Sequence, residues 1–265
     1  MITLLTDFGS SDYFIPAVKG VILSINPQVR IVDLTHEIPA YDIAAGSFTL
    51  GACYEYFPPG TIHFAVVDPG VGSSRRPIVV EAAGALFVGP DNGLFTSVYE
   101  RQADFRVYRI ERVEYLRPTV SPTFHGRDIF APVAAWLSRG VAPTAFGELV
   151  LDPVRLPDLR PRIDHQTGRL SGRIIHIDRY GNCVTSLGLN ELPLARAAEY
   201  EFEVAGVRIS QICRYFGEAA GSAAAFAYPG SAGYWEIGCW CDSAAQQLQV
   251  LSGDEVLLVR RSQGA

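Results

Sequence analysis

Three residues of this chain, Asp68, Arg75 and His125, carry side chains that could together hold one water molecule. Asp68 directly follows an apolar run at 61–67, and His125 stands shortly before an amphipathic segment at 129–138. A carboxylate accepts hydrogen bonds, a guanidinium donates them, and a neutral imidazole does both. Each side chain alone is more typical of a loop ion pair. On loops at one edge of a parallel sheet, the three could form a water-binding group.

Two further carboxylates follow the first predicted strand, at the sheet edge where ligands of doubly wound folds usually bind. Asp7 lies at the strand tip and could accept two hydrogen bonds from the diol of a ribose. Asp12 is either the N-cap of the helix that follows or a second ligand of the same site. The Gly-x-Gly-x-x-Gly pattern is absent here, which argues against a pyrophosphate cradle and an ordinary dinucleotide fold.

The segment 178–185 combines an acid, an aromatic residue and an amide beside a turn signal. Gly181 and Asn182 are typical of a hairpin turn, and turn chemistry alone explains these two residues. It does not explain Asp178 and Tyr180, so the segment is also a candidate binding loop.

The first part of the chain alternates short apolar runs with helical patterns, an order that predicts a parallel sheet with crossover helices. Strands are predicted at 2–6, 29–34 and 61–67, and helices at 13–25, capped by Asp12, and at 43–56. Two more apolar runs at 77–81 and 85–88 and an amphipathic helix at 129–138 follow.

The pattern changes at the proline-rich segment 151–161, which has no periodicity and is predicted to be a linker. Beyond it, strands are predicted at 170–177, 200–209 with a hairpin turn at Ala205 and Gly206, 223–228, 234–240 and 255–260. We therefore predict an α/β N-terminal domain with a mainly parallel sheet at 1–165 and an all-β, barrel-like C-terminal domain at 166–265.

Composition narrows the class of partner. Of 265 residues, 48% are hydrophobic and 19% charged, as in well-packed globular proteins. The net charge of −6 argues against a nucleic-acid partner and favours a small molecule. No apolar run is long enough for a signal peptide or a membrane span, so we expect no membrane partner. The five cysteines lack Cys-x-x-Cys spacing and predict free thiols in the cytoplasm, although Cys239 and Cys241 would share a strand face and leave a metal role open.

Eight motifs, taken in their order and spacing, resemble the S-adenosyl-L-methionine (SAM) hydroxide adenosyltransferase family, whose hydrolases are related to fluorinating and chlorinating enzymes. The motifs are TDFG at 6–9, DLTHEIPAYD at 33–42, VVDPGVGSSRR at 66–76, GPDNGLF at 89–95, FHGRDIFAP at 124–132, DRYGN at 178–182, PGSAGYWEI at 229–237 and SAAQQL at 243–248. Each motif alone is weak, but together they span nearly the whole chain.

The resemblance implies a homotrimer of two-domain chains with active sites between neighbouring subunits. It implies that water attacks the ribose 5′-carbon of SAM and releases adenosine and L-methionine, without a cofactor because the sulfonium is already a good leaving group. Asp68, Arg75 and His125 would be the catalytic residues that position the water, and the resemblance leaves open which of them accepts the proton.

The same resemblance assigns the substrate contacts. Asp7 would bind the ribose diol, with Asp12 beside it and Tyr41 against the ribose face. In the neighbouring subunit, Asp178 would meet the methionine ammonium group, while Tyr180 stacks on adenine and Asn182 bonds its edge. Backbone contacts to the base would come from the stretch between Ser231 and Tyr234, with Glu236 nearby.

Three alternatives to the hydrolase remain at this point. A protein that binds or senses SAM or adenosine without turnover would not need the water-positioning set. A metallohydrolase would use His63, Asp68 and His125 as ligands and would lose activity with a chelator. A halide-using enzyme is disfavoured because the Asp68 carboxylate would repel chloride or fluoride.

Overall fold

The computed structural model describes residues 1–158, 160–163 and 169–261. The chain divides into two compact units, Met1–Leu156 and Pro157–Ala265. The predicted domain boundary between residues 165 and 166 lies outside the described residues. An α/β unit followed by an all-β unit confirms the predicted fold class.

The first unit contains six strands and four α-helices within the described residues. In chain order they are β1 (Ile2–Thr6), α1 (Phe14–Ile25), β2 (Ile31–Thr35), α2 (Ile43–Cys53), β3 (Ile62–Val66), β4 (Pro77–Ala82), β5 (Ala85–Pro90), α3 (Thr96–Arg101), β6 (Phe105–Arg109) and α4 (Ala131–Ser138). A π-helical turn, Gly126–Phe130, leads directly into α4.

The sheet of this unit has the strand order β2-β1-β3-β5-β4-β6. Strands β2, β1, β3 and β5 run parallel to one another. Strand β4 pairs antiparallel with both β5 and β6. Every residue of β1 and β3 is buried, as expected for central parallel strands covered on both faces. The register that aligns Thr6 with Val66 places the carboxyl ends of β1 and β3 side by side. Residues that directly follow these two strands therefore lie close together.

Two predictions for the first unit need correction, and two of its elements were not predicted. Asp12 does not cap α1, since the helix begins at Phe14 with Tyr13 as N-cap and no capping side chain. The predicted helix 43–56 is α-helical only to Cys53 and ends in a tighter 3-10 turn at Tyr54–Tyr56. Strand β6 and helix α3 were not predicted, because two arginines interrupt the apolar residues of β6 and the six residues of α3 span fewer than two helical turns.

The predicted linker 151–161 is also partly wrong. Its first half is fixed to the α/β unit, where the Val154 amide donates to Asp91 Oδ1 at 2.8 Å and the Leu156 amide donates to Thr96 Oγ1 at 2.8 Å. The absence of periodicity identified an irregular segment correctly. It did not reveal that backbone donors of that segment have buried acceptors in the first unit.

The second unit contains eight strands among its described residues. They are β7 (Arg162–Ile163), β8 (Leu170–Ile177), β9 (Cys183–Gly188), β10 (Tyr200–Val204), β11 (Val207–Ile209), β12 (Phe226–Pro229), β13 (Tyr234–Gly238) and β14 (Glu255–Arg260), with short helices α5 (Leu194–Ala197) and α6 (Ala244–Leu248). Every pairing between these strands is antiparallel, in the order β11-β10-β14-β8-β9-β13-β12 with β7 on β8, and the sheet is nearly barrel-shaped.

The hairpin predicted at Ala205 and Gly206 is confirmed, and both residues have the positive φ angles that a tight hairpin turn requires. Strand β9 was not predicted, because all six of its residues are buried and its sequence shows no alternation. Among the described residues, no helix has the length and apolar character needed to cross a bilayer.

Candidate active site

Asp7 and Asp68 lie at neighbouring strand ends of the α/β unit. Asp7 follows β1 directly, and Asp68 follows β3 after Val67. Burial raises the pKa of the Asp7 carboxyl, and the negative charge of Asp68 raises it further, although the Tyr41 amide acts in the opposite direction. The two carboxylates are thus close enough to interact electrostatically.

The loop after β3 pairs Asp68 with Arg75. Arg75 Nε lies 2.9 Å from Asp68 Oδ1 and 3.0 Å from Oδ2, and its Nη2 also donates to Oδ2. The side chains are only 9% and 5% exposed, and the guanidinium lies 5.2 Å from the centre of the Phe130 ring. This two-pronged contact fixes the orientation of the carboxylate.

His125 joins this pair from the loop before the π-helical turn. Its Nδ1 lies 2.7 Å from Arg75 Nη2. Because a guanidinium can only donate, Nδ1 accepts, and the proton of the neutral ring is on Nε2. Burial lowers the pKa of His125, and the Arg75 charge lowers it further, so the ring is held neutral with Nε2 as a donor.

Gly72 allows the two loops that carry these residues to meet. It has φ +79°, and a Cβ at this position would lie 2.4 Å from the carbonyl oxygen of Pro122. A side chain would therefore push the loop of Asp68 and Arg75 away from the segment that leads to His125.

A cavity of about 330 Å³ opens in front of this cluster, within the size range of small-molecule sites. It is lined by Asp7, Phe8, Phe14, Ala40, Tyr41, Val66, Asp68, Val71, Thr123, Phe124, His125 and Gly126. Asp12 is exposed and does not belong to this lining. Four predicted residues therefore line this cavity, namely Asp7, Tyr41, Asp68 and His125. A fifth, Arg75, is outside the lining and contacts Asp68 and His125.

Tyr41 enters this site through its backbone as well as its ring. Its amide donates to Asp7 Oδ2 at 2.9 Å, and its φ of +68° is rare for a residue with a side chain. The ring is 72% exposed although it borders the cavity. A strained backbone beside an exposed aromatic ring is a feature of ligand-binding loops.

The aromatic wall of the cavity was not predicted. Phe14 and Phe124 have ring centres 5.2 Å apart, and Phe8 lies within 5.8 and 6.1 Å of them. The available signal was position, because Phe8 and Phe124 adjoin Asp7 and His125 in the sequence.

In the second unit, Asp178 organises the turn that precedes β9. Its Oδ1 accepts from the amides of Tyr180 and Asn182, and its Oδ2 accepts from Asn182 Nδ2, all at 2.8 Å. Tyr180 is 78% exposed, whereas Asn182 is buried and its Oδ1 has no hydrogen-bond partner among the described residues. The turn therefore presents an exposed aromatic ring and encloses one buried acceptor that has no partner among the described residues.

This turn borders a second cavity, of about 760 Å³. Its lining consists of Asp178, Tyr180, Asn182, Phe216, Cys239, Trp240, Cys241, Asp242 and Ser243. Phe216 was not predicted, because it belongs to a short 3-10 segment without a recognisable pattern. The three predicted residues of this turn are brought together here.

The predicted residues of β13 and the preceding turn are placed differently. Tyr234 pairs with Gly188, whereas Glu236 pairs with Val184, so the Ser231 end of the hairpin is remote from Asn182 along the strand. Glu236 accepts from the Tyr228 hydroxyl at 2.5 Å, and burial raises the pKa of its carboxyl. The lining of the second cavity includes none of Ser231, Tyr234 and Glu236.

The structure does not assemble the metal sites that the sequence left open. His63 is buried, bonds Thr3 Oγ1 at 2.8 Å and stacks on Phe87, and its pKa is lowered to about 4 by burial. Strand β13 ends before Cys239, so Cys239 and Cys241 do not share a strand face. Within the described part of the chain, no three His, Cys, Asp or Glu side chains group as metal ligands.

Fold and site define a two-domain protein with a nucleoside-sized cavity next to a carboxylate, guanidinium and imidazole cluster. The family model of the SAM hydroxide adenosyltransferase N-terminal domain matches residues 2–147, and that of the C-terminal domain matches residues 172–257. The chain belongs to the SAM hydroxide adenosyltransferase family.

Individual relatives agree with this assignment. The (R)-S-adenosyl-L-methionine hydrolase of Methanocaldococcus jannaschii is 40% identical over 72% of this chain and 68% of the relative. The protein of the same name from Thermus thermophilus is 36% identical over 96% of this chain and 98% of the relative. The crystal structure of an uncharacterized conserved protein from Thermotoga maritima matches with a TM-score of 0.90 at 33% identity, over 98% of this chain and 100% of that chain.

Proposed function

We propose that this protein is an enzyme that hydrolyses SAM to adenosine and L-methionine. The observation that carries the proposal is the buried contact among Asp68, Arg75 and His125 at the wall of a nucleoside-sized cavity. Similarity to curated (R)-S-adenosyl-L-methionine hydrolases over most of the chain supports the same substrate.

In the proposed reaction, a water molecule lies between Asp68 and His125. Its oxygen forms a bond to the ribose 5′-carbon while the bond from that carbon to sulfur breaks. The thioether of methionine leaves as a neutral group, because the sulfonium charge disappears with the breaking bond. The protein contributes position and a desolvated site more than strong acid–base chemistry.

Asp68 is the proposed proton acceptor. His125 Nδ1 is occupied by Arg75 and its Nε2 carries a proton, so the neutral ring can donate a hydrogen bond to the water but cannot accept its proton. Asp68 keeps free lone pairs beside those that Arg75 occupies. A carboxylate at the position of the nucleophile also disfavours an anionic halide in its place.

The proposed substrate contacts divide between the two cavities. Asp7 binds the ribose diol and Tyr41 covers the ribose, while Tyr180 stacks on adenine and Asn182 hydrogen-bonds the adenine edge. Asp178 binds the methionine ammonium group through carboxylate lone pairs that accept no hydrogen bond from the turn. The remaining proposed neighbours of the substrate are Asp12, Ser231, Tyr234 and Glu236.

The proposed active unit is a homotrimer in which one subunit supplies the first cavity and its neighbour the second. Each unit carries a separate set of substrate-binding side chains, which supports this division. We also propose a cytoplasmic location, since all five cysteines are free thiols, as is usual in a reducing compartment.

The function is tested by incubation with SAM followed by chromatography. Equimolar adenosine and methionine, formed at the same rate with and without EDTA, are expected. SAM that binds in equilibrium dialysis but is recovered intact would instead identify a binding or sensing protein. Activity lost with EDTA and restored by a divalent ion would indicate a metal-dependent route.

Replacement of Asp7 by alanine is expected to weaken binding of adenosine and SAM equally. It removes charge-assisted hydrogen bonds to the ribose diol, which corresponds to about 1.5 to 3 kcal/mol. Isothermal titration with both ligands measures the loss, and Asp104→Ala, which removes an exposed carboxylate elsewhere in this unit, is the control. An unchanged Kd for adenosine would refute the ribose assignment.

The pH dependence of kcat is expected to have its acidic limb below the ordinary histidine value of about 6.5. Burial and the Arg75 charge lower the pKa of His125, whereas Asp68 and Asp128 have smaller opposite effects. Acidification through 6.5 therefore leaves the ring neutral. At lower pH Nδ1 gains a proton, the contact with Arg75 is lost, and the rate falls. A limb centred at or above pH 6.5, measured under saturating SAM, would contradict this.

A further inference from the structure

The motif GPDNGLF, residues 89–95, lines neither cavity, yet its polar side chains are directed at the loop that carries Asp68 and Arg75. Its first two residues, Gly89 and Pro90, end strand β5, the neighbour of β3. A Cβ on Gly89 would lie only 2.1 Å from the carbonyl oxygen of Ala65. Glycine thus allows the end of β5 to lie close against β3.

Asn92 holds the start of the loop. Its Nδ2 donates to the carbonyl oxygen of Val67 at 2.8 Å, one residue before Asp68. Its Oδ1 accepts from the Leu94 amide at 3.2 Å, which fixes the orientation of the amide group. The backbone position from which Asp68 projects is therefore set by one side-chain donor.

Asp91 holds the end of the same loop. Its Oδ2 lies 2.7 Å from Arg76 Nε, and its amide donates to the Arg76 carbonyl oxygen at 2.9 Å. The Asp91 side chain is only 1% exposed, so this contact is shielded from water. Arg76 also contacts Asp152, whose side chain is 83% exposed and contributes little in solvent. Arg76 is thus held by a buried contact with Asp91, and on its exposed side by the side chain and the backbone carbonyl oxygen of Asp152.

The backbone of the loop between these anchors is held by long hydrogen bonds of its own. The Val71 amide donates to the Asp68 carbonyl oxygen at 3.2 Å, and the Ser73 amide to that of Gly70 at 3.1 Å. Both are at the long end of the usual range. The Asp68 and Arg75 side chains bond each other across this loop, and the external anchors at its two ends set where that bonded pair lies.

We propose that Asp91 and Asn92 are positioning residues that fix both ends of segment 67–76 and thereby set the geometry of Asp68 and Arg75. The inference rests on the proposed SAM hydrolysis for its kinetic tests. Since a displacement of about 1 Å can lower a rate a hundredfold, the two side chains affect turnover without contact to substrate.

The variant Asn92→Asp isolates the proposed contact. It keeps size and the acceptor for Leu94, but it loses the donor and places a carboxylate against the Val67 carbonyl. We expect kcat to fall about tenfold to a hundredfold with little change in KM. A wild-type kcat in a folded Asn92→Asp enzyme would overturn the proposal.

Asn26→Asp is the matched control. Asn26 is half-buried like Asn92, donates through Nδ2 to Ser138 Oγ at 2.9 Å and accepts from the Gln28 amide through Oδ1. The substitution likewise removes a side-chain amide donor, here at the end of α1, and kcat is expected to stay within about twofold of wild type. An equal loss of kcat in both variants would indicate general destabilisation and overturn the specific role of Asn92.

A second pair compares the two carboxylates that contact Arg76. Asp91→Asn is expected to lower kcat at least tenfold, because the contact that it weakens is buried. Asp152→Asn changes a contact in solvent and should lower kcat less than twofold. Equal effects of the two substitutions would contradict the anchoring role of Asp91.

A double-mutant cycle and hydrogen exchange complete the test. In an Asp68→Asn background, Asn92→Asp should lower kcat by less than about threefold further, since both changes act on one water site. Full additivity would overturn the proposal. Faster amide exchange at Val71 and Ser73 in Asn92→Asp, but not in Asn26→Asp, is expected whatever the enzyme hydrolyses, so failure of the SAM assignment and failure of the anchor are distinguishable.

Discussion

Substitution of Asp68 by asparagine is expected to lower turnover of SAM by about 10² to 10⁴, the usual range for loss of a general base or water-orienting group. Asparagine keeps the volume and one oxygen acceptor for Arg75 Nε, but it carries no charge and cannot take the proton of the water. Single-turnover kinetics at saturating SAM measure the chemical step directly.

The same variant separates chemistry from binding. Affinity for SAM should change little, because Asp68 contacts the water in the proposed reaction and Asp7 contacts the ribose. Thermal unfolding of Asp68→Asn and its SAM titration provide the controls for folding and binding. A turnover close to that of wild type would mean that the ion pair of Asp68 and Arg75 only shapes the loop.

The second large effect is expected on mixing two inactive variants. One chain carries Asp68→Asn, and the other carries Tyr180→Ala together with Asn182→Ala, so each is defective in a different cavity. If neighbouring subunits share each site in a cyclic trimer, an equal random mixture restores about one quarter of the sites, the product of two independent probabilities of one half. Co-expression with two affinity tags and assay of the doubly purified assembly measure the recovery.

The outcome of mixing distinguishes the location of the site. Recovery requires that the intact first cavity of one chain and the intact second cavity of its neighbour meet. Demonstrated mixed assemblies without recovered activity would place the complete site within a single chain. An active monomer in light scattering would contradict the shared-site proposal independently.

Sequence patterns predicted those features that follow from local periodicity and chain order. Strands β1, β8 and β14 have the predicted bounds, because each is a continuous run of strand-forming residues between turn signals. The proximity of Asp7 and Asp68 followed from the parallel order alone, since the carboxyl ends of neighbouring parallel strands share one edge.

Other features depend on tertiary contacts that a single sequence does not display. The contact of Arg75 with His125 needs the close approach of Gly72 to Pro122, and the side chains of Asp91 and Asn92 act across strands on a distant loop. Asp12 had a suitable residue type for a cap, but the helix starts one residue too late for it to bond the first turn.

The central claim is that water attacks the ribose 5′-carbon of SAM, and reaction in ¹⁸O-labelled water tests it most directly. Attack by water at this carbon gives adenosine with one label in its 5′-hydroxyl and methionine without label, as read by mass spectrometry of both products. Unlabelled adenosine, or label in a product from the methionine side, would contradict it, because the oxygen that enters at the 5′-carbon would then not come from solvent water.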